Sequence, residues 1–581
     1  MKRLFPYLRP YLPRMSLGLA IKFAGTVMDL FLPWILSYLI DEVVPLREEG
    51  KILFWGGVMI LCAVAAVVTN IAANRMASWV AQHTTQAIRH DLFRKISYLS
   101  CSQVDGYTIP SLEARLTTDT YNIHQFIGRM QRLGVRAPIL LLGGILVTLA
   151  LDWALALVLI ATLPLLGLLV YLISRKGVPM YTQLQKQVDA MVRTVRENIS
   201  GVRVVKALSK EEYERERFHQ VNGQVVRWEK KAGVTMGLTN PIMNLLLNTG
   251  LTIVVLVGAW RVNAGLMQTG AILAFLTYFT IILNAMLSVT RMFVMYSKGS
   301  ASAQRIAEIL DTPEDLAERP APEKAESGEP CHVSFDHVSF SYQKNGYNLE
   351  DISFRLKKGE TLGIIGATGA GKTTIASLLQ RLYDADEGEI RIGGRPVYAI
   401  PAEELHRKFG VTFQNDILFA DTIRENIDFG RGLTDEQVEK AARCAQALGF
   451  IQELGDGFQH RLTSRGTNLS GGQKQRLLVA RALAGEPEIL ILDDSSSALD
   501  YRTDSLLRKA LAEEYGGITT IIIAQRISSI LHCDHILVLE EGRELGYGTH
   551  QQLLETCQVY REISHSQMGG DQYGQGTQSN P

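Results

Sequence analysis

The sequence predicts an α-helical transmembrane domain of six spans followed by an α/β domain built on a phosphate-binding loop. Three observations carry this. Apolar blocks long enough to cross a bilayer recur through the first half of the chain. The run Gly366-Ala367-Thr368-Gly369-Ala370-Gly371-Lys372-Thr373-Thr374 fits G-x-x-x-x-G-K-[ST] between a strand-like run at 362–365 and a helix-like run at 375–379. A second apolar strand, 489–492, ends in Asp493-Asp494.

At 581 residues the chain is too long for one domain. Its 59 basic and 59 acidic residues cancel, so no global field marks a nucleic-acid binder, and no nucleic-acid partner is expected. The six cysteines are scattered without metal-ligand spacing, as expected of free thiols in a reducing compartment. The expected organisation is a membrane domain over 1–310, a Pro/Glu/Ala-rich linker over 311–330, a nucleotide-binding domain over 331–567 and a disordered Gly/Gln-rich tail over 568–581.

Residues 1–14 interleave Lys2, Arg3, Arg9 and Arg14 with apolar side chains, the pattern of a basic amphipathic helix on the inner membrane surface. Apolar blocks follow at 17–40, 52–73, 138–173, 238–260 and 269–289. A span needs about 20 residues, so 138–173 divides into two helices, broken at Asp152-Trp153. Basic residues collect in two connections, Arg89, Arg94, Lys95 and Arg115 in one and Arg193, Arg196, Arg203, Lys206 and Lys210 in the other, while the alternate loops are short and poor in them. By the positive-inside rule the N-terminus and the nucleotide-binding half are cytoplasmic in a multi-pass cell-membrane protein. Apolar spacing near 3.6 continues through both basic connections, predicting helices that extend beyond the bilayer to turns near 102–116 and 207–217 that touch a cytosolic motor. Lys22, Asp29, Asn248 and Asn284, with Phe279, Met286 and Met292, are candidates to line a cavity for a hydrophobic or amphiphilic small molecule, and Pro33 to kink the first span.

Past the linker, 332–335 and 337–342 read as two strands, and Tyr342 is placed to stack on a base. The glycines of 366–371 let backbone N–H groups surround a polyphosphate, Lys372 reaches its terminal oxygens and Thr373 can ligate Mg²⁺. Asp493, at a strand end beside that loop, can hold the same ion. Leu469-Ser470-Gly471-Gly472-Gln473 opens a further helix and offers a second anion-binding end. Two such elements cannot easily close on one nucleotide, whereas two domains paired head to tail can each serve the other.

With these motifs in this order, the chain resembles a half-transporter of the ATP-binding cassette exporters, from the N-terminal helix to about residue 567. The resemblance implies a type I exporter (type IV ABC) membrane fold, an ATP-binding domain with a helical subdomain, and ATP with Mg²⁺ as ligands. It assigns adenine stacking to Tyr342, phosphate binding to Gly366 through Thr374, the Mg²⁺ surroundings to Thr373, Gln414 and Asp493, and sensing of the membrane domain to Gln414. Leu469 to Gln473 would serve a partner's ATP, the loop from Ser497 to Asp500 would communicate across the dimer, and the cytoplasmic turns would be coupling helices, the second reaching the opposite subunit.

The chain departs from the family at three positions. Asp494 stands where the catalytic Glu follows the strand-end Asp, one methylene shorter. Gln525 stands where the switch His follows the strand 519–524. Ser464 stands where a Glu often precedes Arg-Gly. Losses at both Asp494 and Gln525 would leave a homodimer two poor sites. They therefore predict a heterodimer with a second half-transporter, in which this chain's phosphate loop forms a degenerate site and its LSGGQ completes the partner's. A homodimeric lipid or peptide exporter and an ATP-gated, channel-like regulatory subunit are the competing readings.

Overall fold

The computed structural model describes residues 2–320, 331–342, 344, 346–495 and 498–568. It divides into two compact units, Met1–Ser97 with Pro110–Thr312, and Tyr98–Ile109 with Pro313–Pro581.

The first unit is helical. Its principal helices are α1 (Leu12–Tyr38), α2 (Glu49–Ser97), α3 (Thr120–Leu151), α4 (Trp153–Ser200), α5 (Glu211–Gly237), α6 (Thr239–Asn263) and α7 (Thr269–Leu310). Six stretches among the described residues are long and apolar enough to cross a membrane. The break inside the long apolar block falls where its polar residue stands. The Asp152 carboxylate accepts from the N–H groups of Ala154 and Leu155 at 2.9 and 3.0 Å, capping α4, and also accepts from Arg261 Nε at 3.0 Å. At about 1.5 Å per residue, the 49 residues of α2 and the 48 of α4 far outreach a hydrocarbon core about 30 Å thick, as the continued apolar spacing predicts.

The N-terminal segment is not one amphipathic helix. Prolines 6, 10 and 13 divide it into the short turns Lys2–Leu4, Phe5–Leu8 and Arg9–Tyr11 before α1. It is anchored on α2, with the Tyr7 hydroxyl donating to Asp91 at 2.8 Å and the Arg14 guanidinium 3.8 Å from the Trp79 ring centroid. Phe279 does not line a cavity. It is fully buried with Leu155, Leu159, Phe275, Tyr278 and Ile282, where a Cβ at Gly250 would come within 2.4 Å of its ring. Asn248 and Asn284 are exposed on this chain, whereas Lys22 is buried.

The second unit carries a ten-stranded sheet in the order β5-β4-β1-β2-β10-β9-β3-β8-β7-β6. Its strands are β1 (Val333–Phe340), β2 (Leu349–Leu356), β3 (Thr361–Gly366), β4 (Glu387–Ile392), β5 (Arg395–Pro396), β6 (Phe409–Thr412), β7 (Ile489–Asp493), β8 (Thr519–Ile523), β9 (His535–Glu540) and β10 (Arg543–Gly548). From β9 through β6 the neighbours are parallel and mostly buried, which accounts for runs such as Ile489-Leu490-Ile491-Leu492 without alternation. The two strands expected over 332–342 are one. β1 carries a bulge between Phe335 and Val338, where His337 takes φ +51° and the backbone re-aims instead of ending. A separate apolar core under the helices Ile423–Asp428, Asp435–Cys444, Leu448–Glu453 and Gly471–Leu483 forms the helical subdomain.

The first cytoplasmic turn belongs to this second unit, unlike the expected 1–310 division. The helix Cys101–Tyr107 is closed by a Ser100–Gln103 capping box. Ser100 Oγ donates to Asp315 at 2.7 Å, Gln103 Nε2 to the Pro313 carbonyl at 2.7 Å and the Tyr383 hydroxyl to Asp105 at 2.7 Å. The second turn is the short helix Val202–Ala207 before α5. Residues 321–330 of the expected linker and 569–581 of the expected tail lie outside the described residues.

Burial holds the His332 imidazole below its ordinary value, outweighing the nearby Glu488 carboxylate. The unfolded chain then binds a proton that the folded one refuses, so this group withdraws stability as pH falls through about 6.5. His332→Gln, which can keep the 2.7 Å contact to Thr519 Oγ1, is expected to flatten the fall in Tm between about pH 7 and about pH 5.5. Equal slopes for the two proteins would contradict this.

Candidate nucleotide site

β3 runs straight into the phosphate loop, and the loop into the helix Lys372–Leu379. Gly369 and Gly371 take φ +87° and +91°, which turns the loop back under the helix N-terminus. A cavity of about 280 Å³ opens there, lined by Tyr342, Asn348, Thr368, Gly369, Gly371, Lys372, Thr373, Thr374, Gln414, Asp493, Asp494 and Gln525, with Ile523 and Ala524. Gly366 and Ala367 contribute indirectly: both carbonyls accept from Lys372 Nζ at 2.8 Å. Ala370 is buried and shapes the loop from beneath.

Tyr342 is half-exposed and meets Phe340 and Tyr383 edge-on at ring centroid distances of 4.8 and 5.0 Å, leaving a π face for a base. Asn348 was not legible as a site residue. Its Oδ1 accepts from the Tyr342 N–H at 3.0 Å, tying the aromatic segment to the start of β2. An Asn directly ahead of a strand was the one available signal.

Thr373 Oγ1 donates to Asp493 Oδ2 at 2.8 Å. Burial raises both the Asp493 and Asp494 carboxyls above their ordinary values, and burial lowers Lys372. Gln414 bonds Asp493 through its backbone and Asp494 through its side chain, opposing the rise. Gln525 Nε2 donates to Asp494 Oδ2 at 3.2 Å.

This set of hard oxygen donors fits Mg²⁺. Among the described residues no group of three or more His, Cys, Asp or Glu could hold a metal alone, so the ion would share its coordination with phosphate oxygens, the usual habit of Mg²⁺ at nucleotides. Thr373, Asp493 and Gln414 would hold it, and the ion would neutralise phosphate charge there. With a nucleotide in this cavity the loop N–H groups would cradle its phosphates, Lys372 would reach the terminal oxygens and the Asp494 carboxylate would lie beside them.

Leu469 to Gln473 do not line this cavity. Ser470 caps the helix Gly471–Leu483, its hydroxyl accepting from Gln473 N–H at 3.3 Å while Gln473 Oε1 accepts from Ser470 N–H at 2.9 Å. Both oxygens are thereby engaged in the capping box. Ser497 lies outside the described residues; Asp500 caps the next helix by accepting from Thr503 N–H at 2.9 Å.

The family model described as "ABC transporter transmembrane region" matches residues 15–286, and that described as "ABC transporter" matches residues 349–497. The uncharacterized ABC transporter ATP-binding protein YfiB of Bacillus subtilis (strain 168) is 34% identical over 575 residues, covering 98% of this chain and 99% of its own length. The putative ABC transporter ATP-binding protein exp8 of Streptococcus pneumoniae is 31% identical, covering 98% and 97%. A bacterial Atm1-family ABC exporter solved with ATP bound shares the fold, with a TM-score of 0.79 and 24% identity over 98% of this chain and 99% of that one. This chain belongs to the ABC transporter family, as a multi-pass membrane half-transporter of exporter fold whose cytoplasmic nucleotide-binding domain couples ATP hydrolysis to transport.

Proposed function

We propose that this chain is one half of a heterodimeric exporter of hydrophobic or amphiphilic compounds, with a degenerate ATP site on its own phosphate loop and an LSGGQ that completes the partner's catalytic site. The observation that carries the reading is the contact between the two departures: the Gln525 amide donates to Asp494 at 3.2 Å. The carboxylate that should polarise a water is one methylene short, and the side chain in the switch position is engaged with it. An amide also cannot become a cation. Such a pair suits retention of ATP better than turnover. The intact capping box at Ser470 and Gln473 supports a signature segment kept for a partner.

ATPase activity of the purified chain, alone and mixed with a candidate second half-transporter, tests this. The lone chain is expected to turn over slowly and the pair about a hundredfold faster, the scale of a misplaced general base. Activity of the pair should survive Lys372→Ala at a reduced level. A lone chain that hydrolyses ATP as fast as the pair, and loses that activity with Asp494→Asn, would instead be a homodimer.

A further inference from the structure

Charged side chains converge between the first three spans, away from the nucleotide. Lys22 on α1 is 3% exposed, and its ammonium donates to Asn74 Oδ1 on α2 at 3.1 Å. Asp29, two turns along α1, pairs with Arg136 on α3 at 3.1 Å. The charges of Arg132, Arg136 and Asp29 all reach Lys22. Among the described residues Asp29 is the one carboxylate whose charge reaches Lys22, against those of Arg132 and Arg136, and the hydrogen bond holding Lys22 is to a neutral amide.

Depth makes this imbalance informative. At about 1.5 Å per residue, Arg136 lies about 24 Å and Arg132 about 30 Å below the Asp152 turn, at the inner edge of a hydrocarbon core about 30 Å thick. Cations at that edge cost little where they can snorkel to water, but Lys22 is buried and held by a neutral amide, and a buried cation so held is completed by an anion. One donor is also left over: Arg136 Nε is buried without a hydrogen-bond partner, while the buried Asn70 Oδ1, an acceptor, is left for a donor such as water. Asn70 stands one helical turn before Asn74 on α2, and the backbone of Gly25 packs against its amide, where a Cβ would come within 3.3 Å.

We propose that Lys22, Arg132 and Arg136 form a binding site for the anionic head of an amphiphile, a phosphate or carboxylate carried on an alkyl body, taken at the inner leaflet. Guanidinium forks suit either head through paired N–H donors, and the Lys22 ammonium adds a point charge from the opposite helix. The head comes either from a transported amphiphile or from a phospholipid of the inner leaflet. Its assignment as transport substrate rests on the exporter reading above; its binding does not.

The full chain in phosphatidylcholine nanodiscs would be titrated with radiolabelled dodecyl phosphate, with dodecyltrimethylammonium as the cationic control. The anion is expected to bind in preference to the cation, and Arg136→Gln and Lys22→Gln to weaken it about tenfold each. Asp29→Asn should tighten it severalfold by releasing Arg136, a gain that misfolding cannot produce. Loss of binding when phosphatidylglycerol is added to the discs identifies the lipid head as occupant. ATP-dependent accumulation of dodecyl phosphate in inverted vesicles identifies a transported one. Binding with these variant effects but no ATP-dependent movement leaves the site standing and removes the exporter reading of it. Equal binding of anion and cation, or weakening by Asp29→Asn, overturns the proposal.

Discussion

Gly371→Ala is expected to abolish measurable ATP binding and to lower the stability of the nucleotide-binding unit by about 2–4 kcal/mol, the sum of left-handed strain and a displaced backbone. Gly371 takes φ +91° immediately before the helix Lys372–Leu379. An added Cβ would sit 2.5 Å from Leu349 Cδ2 and 2.8 Å from the Asn348 carbonyl oxygen. The leucine can rotate away, but the carbonyl is fixed, because the Asn348 N–H donates to Phe340 O at 2.8 Å. Moving Asn348 also disturbs Tyr342, whose N–H donates to Asn348 Oδ1. The substitution therefore strikes the phosphate and base ends of the site together. Gly369 is the control. Its φ of +87° carries similar strain, yet an added Cβ meets nothing within 4 Å. Thermal unfolding without nucleotide should show Gly369→Ala losing only about 1–2 kcal/mol. Equal losses for the two variants would mean that the contact with Asn348 is unimportant. Binding of a fluorescent ATP analogue gives the second readout.

Much of this site was legible because its chemistry is local in sequence. Gly366 through Thr374 form a continuous strand, turn and helix, and the spacing of glycines and Lys372 marks which groups would face a phosphate. Asp493 was legible as the polar end of an apolar strand, since such a strand is buried along its length and emerges at one end. The Asp152 break was legible as a polar interruption in an apolar block too long for one span, and that it caps the following helix is visible only in the structure. What escaped depends on backbone geometry that side-chain pattern does not encode. The bulge at His337 left β1 looking like two strands, because a bulge interrupts alternation as a turn does. Asn348 is brought to the site by β2 pairing with β1 across a connection containing Gly346, and no local period marks it. Phe279 read as a cavity residue because burial against helices and exposure to an apolar ligand ask the same of a side chain. The turn near 102–116 was expected to touch the cytosolic motor, and Asp105 does meet Tyr383; what side-chain pattern did not mark is that Tyr98–Ile109 groups with the second unit, through Pro313 and Asp315 as well.

Asp494→Glu with Gln525→His is expected to raise hydrolysis at this chain's own phosphate loop about a hundredfold, measured with the other site of the dimer disabled. The extra methylene would carry the carboxylate about an ångström further toward an attacking water. The scaffold for it is present: the Asp494 N–H donates to Ile523 O at 2.9 Å, and the φ of +51° holds the residue in a turn between β7 and the following loop. That conformation favours Asp over Glu modestly, so the single change Asp494→Glu should cost a little stability while adding activity. Gln525→His alone should do little, because the imidazole would still face a carboxylate out of reach of the water. Since the two side chains touch at 3.2 Å, their effects should exceed the sum of the singles. Burial already raises the Asp494 carboxyl above its ordinary value, which favours a general base working nearer neutral pH once its reach is restored. A double variant no faster than the parent would place the limitation elsewhere in the site, and the two departures could then no longer support a heterodimer.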